Sequence, residues 1–110
     1  HAAGTNSVLA SIWTGGTQVV LEAFDPAAAL DLIEAEKCTC SLGVPTMLSA
    51  IAEEQLARPR RTDTVQWVAH GGSPVASEVL RRFHQAMASC AARDMGTVRW
   101  FARNSETAAK

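Results

Sequence analysis

The residues best suited to chemistry lie in one short segment, His70, Gly71, Gly72, Ser73 and Pro74, between an apolar run and an amphipathic stretch. Because the two glycines lack a Cβ, a flat ligand could lie directly against their backbone. Free backbone N–H groups at the start of a following helix could also receive an oxygen or a phosphate. The alternative is a plain turn from a strand into a helix, and spacing alone favours that turn.

Other catalytic patterns are weaker. Ser73 lies close to His70, but no G-x-S-x-G elbow supports a nucleophile with its base. The segment matches neither G-x-G-x-x-G nor the G-x4-G-K-[ST] phosphate loop. Cys38, Cys40 and Cys90 lack further ligands at zinc-site spacing, so we interpret them as buried core thiols in a reducing compartment.

Composition and charge favour a globular domain without a nucleic-acid partner. The 110 residues are 47% apolar and 19% charged, with a net charge of −1. A basic loop at 58–64 could bind phosphate. Asp63 and the near-neutral net charge of the whole chain favour an exposed connector instead. No apolar run is long enough to span a bilayer, and we expect a cytoplasmic protein. The sequence begins at His1 without methionine, so we expect the translation start to lie upstream.

Strands alternate with helices along the chain, which is typical of a parallel sheet with helical crossovers. We therefore predict an α/β fold with a mainly parallel, three- to four-stranded sheet and flanking helices. The ligand-binding loops would be 22–25, 42–45 and 70–74, because ligands bind at the carboxyl ends of such strands. The predicted strands are 17–24, 38–44, 65–70 and 97–102. The predicted helices are 4–13 and those that start at Pro26, at Pro45 and at Ser73 and Pro74. Asp25 would cap the second helix, and Glu78 would pair with Arg82 on the fourth.

Three segments together resemble the adenylate-forming family of acyl-CoA synthetases, aryl-CoA ligases and luciferases. The first, HAAGTNSVLASIWTGGTQVVLEAFDPAAALDLIEAEKCT at 1–39, is similar to the family's pocket histidine, helix, GG-T-VVL run and FDP helix start. The second, GVPTMLSAI at 43–51, is similar to its VPTML helix start. The third, AHGGSPVASEVLRRF at 69–83, is similar to its GG-[AS]-P turn. The resemblance covers about residues 1–88.

The resemblance implies a ligase reaction with ATP, magnesium and coenzyme A. A fatty or aryl carboxylate would attack the α-phosphate of ATP, giving an acyl-adenylate and pyrophosphate. The coenzyme A thiolate would then displace AMP, while magnesium neutralises phosphate charge. The resemblance also implies that the chain is a partial subdomain of the adenylate-forming fold, and that the parent protein serves fatty-acid or related acyl metabolism.

Site residues follow from the same resemblance. Gly71, Gly72, Ser73 and Pro74 would lie beside adenine and form one wall of the acyl pocket. His1 would lie near the reacting carboxylate. The VPT motif at 44–46 would be mainly architectural.

The last segment departs from the family pattern YG-x-TE. In ARNSETAA, Ser105 and Glu106 would stand for the pair that handles phosphate and magnesium. Ala102 and Arg103 replace the aromatic residue and the glycine, which removes the ring that would stack on adenine. We therefore treat 1–110 as a single partial α/β domain with a divergent tail at 89–110.

The resemblance places the family's phosphate loop upstream of His1, and its ribose-binding aspartate and catalytic lysine downstream. We expect the 110 residues alone to be inactive and to hold no cofactor tightly, because charge developing on the α-phosphate would meet no preorganised partner. Two alternatives remain open: a non-catalytic truncated remnant, and a flavodoxin-like nucleotide-binding module. Apolar helix faces at Val8, Ile12 and Trp13 would be left uncovered, which predicts self-association.

Overall fold

Four helices and three short parallel strands make up the described part of the chain. The computed structural model describes residues 2–70, 74–88 and 99–102, with side chains for 4–70 and 74–87. The elements are α1 (Ala2–Thr14), α2 (Pro26–Ala35), β1 (Cys40–Gly43), α3 (Pro45–Ala57), β2 (Trp67–His70), α4 (Ser77–Ala88) and β3 (Arg99–Ala102).

The three strands form one parallel sheet in the order β1-β2-β3. The predicted α/β class is therefore confirmed, with three strands among the described residues. The strand predicted at 17–24 is wrong: this segment is irregular, and Val20 is 76% exposed. β-branched side chains favour a strand only when a neighbouring strand supplies hydrogen bonds and packing. No described strand pairs with 17–24.

The two faces of the sheet differ in burial. The register pairs Ser41 with Val68 and Gly43 with His70, and this face is buried or half-buried along its length. Cys40 pairs with Trp67 on the opposite face, where Trp67 is 43% exposed. The helices therefore cover one side of β1 and β2.

The core forms between the covered face and helices α2, α3 and α4. Each helix contributes side chains at helical spacing, as the apolar periodicity predicts. The main cluster is Leu30, Ile33, Leu48, Ile51, Ala52, Val65, Val68, Phe83, Ala86 and Met87.

Local sequence signals place the end of α1 and the start of α2 as predicted. The Asp25 side chain accepts a 2.8 Å hydrogen bond from the Ala28 N–H, and Pro26 takes the first turn of α2. Gly15 follows α1 with a φ of +68°, in the left-handed region that glycine adopts without strain. None of the described helices combines the length and apolar character needed to cross a bilayer.

Two predictions about α4 are wrong. The helix begins at Ser77 instead of Ser73 or Pro74, and residues 74–76 precede it without regular structure. Glu78 pairs with Arg81 at 2.5 Å, three residues away, and not with Arg82. Arg82 extends toward α3, where its Nη1 lies 3.9 Å from an oxygen of Glu53.

Candidate functional site

The carboxyl ends of the three strands meet at one edge of the sheet. Gly43 ends β1, His70 ends β2 and Ala102 ends β3, and the register places the three residues side by side. The three strands therefore end at a common edge. This agrees with the loops predicted at 42–45 and 70–74, whereas 22–25 follows no described strand.

The β1 end of this edge is closely packed against α3. A Cβ on Gly43 would lie 3.1 Å from Cδ2 of Leu48 and 3.7 Å from Cβ of Met47. A side chain at position 43 would therefore require Leu48 to shift by a few tenths of an ångström. Val44 precedes the helix without a side-chain capping bond, and Pro45 occupies its first turn.

His70 is the buried polar residue at the β2 end of the edge. Only 6% of its surface is exposed. Burial lowers the pKa of the His70 imidazole below its ordinary value, because removal from water disfavours the charged form. The imidazole is therefore neutral near pH 7.

Most of the predicted site residues lie outside the described part of the chain. These residues are His1, Gly71, Gly72, Ser73, Ser105 and Glu106. Pro74 is described and exposed, and Thr46 of the VPT motif is also exposed. Val44 and Pro45 lie at the common edge as the loop assignment predicts.

The cysteines form no metal site within the described residues. No group of three or more metal-ligating side chains occurs there. The prediction of buried core thiols is wrong for Cys40, which is exposed because it lies on the uncovered face of β1. Cys38 is half-buried, and burial raises the pKa of its thiol. Cys90 lies outside the described residues.

The connector at 58–64 is more structured than the sequence predicts. Gln55, fully buried on α3, donates a 2.8 Å hydrogen bond to the Arg60 carbonyl and accepts a 3.0 Å bond from the Arg60 N–H. Thr62 is also fully buried and donates to the Met87 carbonyl at 3.0 Å. Gln55 lies four residues after Ile51, within the buried stripe of α3. A polar residue at such a position is the sequence signal that this helix holds the connector.

Ion pairs hold the same connector from outside. The Arg60 guanidinium lies 2.8 Å from Asp31 on α2 and 2.9 Å from Glu54 on α3. The hydrogen bond from Arg60 lowers the pKa of the Glu54 carboxyl, and Arg58 adds a second bond. Arg60 is thus held inside the fold, whereas Arg58 and Arg61 stay exposed, so the segment is not simply the exposed connector that the sequence favours.

A small groove between α3 and α4 lies away from the strand ends. Its volume is about 120 Å³, and its charges are mixed. The lining residues are Ser49, Ala52, Glu53, Glu78, Val79 and Arg82.

Comparison with known proteins identifies the family. The model of a family described as AMP-binding enzyme matches residues 1–95. The chain belongs to the AMP-binding enzyme family. It is 37% identical over 84 residues to a feruloyl-CoA synthase of Amycolatopsis sp., covering 76% of this chain and 17% of that protein. It is 32% identical to the medium/long-chain-fatty-acid–CoA ligase FadD8 of Mycobacterium tuberculosis, covering 74% of this chain and 15% of that protein.

Solved structures support the same fold. A long-chain-fatty-acid-CoA ligase (FadD1) from Archaeoglobus fulgidus superposes with a TM-score of 0.76 at 23% identity, over 82% of this chain and 18% of that one. The amide bond synthetase McbA from Marinactinospora thermotolerans gives a TM-score of 0.62 at 28% identity, over 79% of this chain and 16% of that one. The chain thus spans only about a sixth of the length of these proteins. The predicted family is confirmed.

Proposed function

We propose that the chain forms part of an ATP-dependent acyl-CoA synthetase. Such an enzyme joins a carboxylate to AMP with release of pyrophosphate, and then transfers the acyl group from AMP to the thiolate of coenzyme A. The observation that carries this proposal is the family match over residues 1–95, together with relatives that are acyl-CoA ligases. The common carboxyl edge of the parallel sheet is a suitable place for one wall of the site.

The proposed roles of individual residues follow the family motifs. The backbone of Gly71, Gly72, Ser73 and Pro74 would line adenine and the acyl pocket, since the glycines leave room for a flat ring. His1 would face the reacting carboxylate.

The proposed phosphate and metal contacts belong to the chain's last segment. Ser105 would contact phosphate, and Glu106 would supply an oxygen ligand to magnesium. Carboxylate oxygen is a ligand that Mg²⁺ accepts alongside substrate phosphates. Bound magnesium would neutralise phosphate charge. The described residues hold no metal cluster, so any such ligand set would have to include residues outside them.

The proposed substrate is a fatty or aryl carboxylic acid. One relative is named a feruloyl-CoA synthase and another a medium/long-chain-fatty-acid–CoA ligase, so the relatives include both classes. We propose a cytoplasmic site of action, because the reaction consumes ATP and coenzyme A.

Residues 1–110 on their own should be inactive and should bind no nucleotide tightly. They would provide one wall of the site but no preorganised partner for the charge that develops on the α-phosphate. We further propose that they form one partial α/β unit, family-like to residue 88. The parallel pairing of β3 with β2 supports including 99–102 in that unit.

The test uses the polypeptide encoded by the complete open reading frame that contains this sequence, here called the complete polypeptide. Acid-dependent exchange of pyrophosphate into ATP, measured with ferulate and with dodecanoate, should be present in the complete polypeptide and undetectable in residues 1–110. Gly72→Ala should raise the KM for ATP about ten-fold by placing a methyl group against adenine. Gly4→Ala is the matched control, because a Cβ on Gly4 meets nothing within 4 Å.

Other outcomes would separate the alternatives. Binding of an acyl-sulfamoyl adenosine without exchange or thioester formation would indicate a non-catalytic remnant. Such a remnant is favoured by Ala102 and Arg103, which stand where the family has an aromatic residue and a glycine. Binding of FMN without any adenylate analogue would refute the proposal in favour of a flavodoxin-like module.

A further inference from the structure

Residues 17–21 form an uncharged segment with β-branched side chains and no strand partner within the described residues. Val19 and Val20 are exposed, and the segment pairs with none of the three strands. Natural proteins protect an unpaired edge with charged residues or proline, and residues 15–21 include neither. We therefore expect another strand to cover this segment.

The free edge of β1 is unprotected in the same way. The order β1-β2-β3 leaves one side of β1 without a partner in the described sheet. Its four residues, Cys40–Gly43, also lack charge and proline. Two unprotected backbones are thus separated in the chain by α2 and its short connections.

The hand of the crossovers places 17–21 on the free side of β1. The crossover helices α3 and α4 cover one face of the sheet. Because crossovers between parallel strands are right-handed, helices on one face mean that successive strands advance in one direction. α2 packs on this face too, through Leu30 and Ile33, so the segment before it belongs on the side of β1 away from β2. Since 17–21 is not paired with β1, a strand between them would meet both free backbones.

The contacts of α1 indicate which part of the polypeptide supplies that strand. After Gly15 the chain turns back along the helix. The Gly16 N–H donates to the Ser11 carbonyl at 2.8 Å, and the Gln18 side chain donates to the Ser11 hydroxyl at 2.9 Å. A helix followed by a segment that runs back along it is the second half of a β-α-β unit. The first half of such a unit is a strand directly before α1.

The exposed side of α1 indicates where that strand lies relative to 17–21. The apolar side chains of the helix share one side and are all exposed, so they do not pack against the covered face: Val8, Leu9, Ile12 and Trp13. Right-handed crossovers put α1 on the opposite face from α2 only if the two connections step in opposite directions. This requires the strand before α1 to lie between 17–21 and β1.

We propose that the stretch of polypeptide directly preceding α1 forms a parallel strand between 17–21 and β1, and that α1 packs over it on the uncovered side of the sheet. The sheet order becomes 17–21, the inserted strand, β1, β2 and β3. With 13 residues, α1 is about 20 Å long, enough to span a four-residue strand of about 13 Å. The helix would lie next to the exposed Leu42, while the surface around Trp67 stays open to other parts of the polypeptide. This inference does not rest on the proposed reaction.

The test places the photo-cross-linker benzoylphenylalanine at Val20 or at Leu42 of the complete polypeptide and maps the cross-links by mass spectrometry. From position 20, cross-links should include sites within about 12 residues before residue 1, the length of one strand and a short loop. From position 42, they should include α1. The same probe at Gln85, which is exposed on α4, is the matched control and should reach neither.

The pattern of cross-links decides between the possible partners. Cross-links from position 20 to β1, to residues after Lys110 or to a second molecule, with none upstream, would overturn the inserted strand, as would no cross-link at all. Upstream cross-links from position 20, without any from position 42 to α1, would overturn its placement between 17–21 and β1. If the probe at position 20 prevents folding, Val19 carries it and the outcomes have the same meaning. No ligand or substrate takes part, so failure here would leave the acyl-CoA synthetase assignment intact.

Discussion

The bond pair between Gln55 and the Arg60 backbone gives a direct test of what holds the connector to the core. Gln55→Met keeps the length of the side chain and removes both hydrogen bonds, of 2.8 and 3.0 Å. A lost bond of this kind costs about 1 kcal/mol net, and a buried group left unpaired costs about 1–3 kcal/mol. Two partly buried Arg60 groups lose their partner, so we expect the free energy of unfolding to fall by about 2–4 kcal/mol.

The assay is urea unfolding of the complete polypeptide. The unfolding free energies of Gln55→Met and a control variant are compared with the same m-value, the slope of free energy against urea concentration. Gln85→Met is the control, because Gln85 is exposed on α4 and the same substitution there should change stability by less than about 0.5 kcal/mol. Equal unfolding free energies for the two variants would show that the Gln55 bonds contribute nothing. The connector would then be held by Thr62 and the Arg60 ion pairs alone.

Three further predictions test the core, the uncovered surface and the ion pairs. Phe83→Ala should cost about 3–5 kcal/mol in urea unfolding, because Phe83 is 2% exposed; a loss under about 1 kcal/mol would contradict the core assignment. Trp13→Glu should reduce self-association of residues 1–110 in sedimentation velocity, since Trp13 is 92% exposed; a monomeric wild-type chain would show the prediction to be wrong. The lowered pKa of Glu54 means that its ionised form stabilises the fold above the unfolded pKa of about 4.3, and this stabilisation is lost as pH falls through the lower folded value. Glu54→Gln should remove this part of the pH dependence of the unfolding free energy. An unchanged pH dependence would show that the pairing of Glu54 with Arg60 is not the source of the acid-dependent stability.

Local signals were sufficient to predict the helices and the three described strands, including the one predicted at 97–102. Asp25 and Pro26 specify the start of α2 through bonds within one turn, and Gly15 specifies the end of α1 through its own φ. The strand at 17–24 failed for the opposite reason. Its β-branched residues satisfy the local preference, but a strand also requires a partner that no local pattern can supply.

The candidate site was predictable as a location and less so as a set of contacts. Alternation of strands and helices predicts that β1 and β2 end at one edge, and the register of Gly43 with His70 agrees. The anchoring of 58–64 was missed because its contacts are non-local. Thr62 bonds to Met87, 25 residues away, and Arg60 to Asp31, 29 residues away.

One face of the sheet is left uncovered by the chain's own helices. Parallel sheets are almost always covered on both faces, yet here Leu42 is 40% and Trp67 43% exposed. We expect the cover to come from outside these 110 residues, which span about a sixth of the length of their relatives. The face that carries Val68 and His70 is closed by the chain's own helices. The chain's own helices therefore close one face of the sheet, and we expect the rest of the proposed site to be assembled on the open side.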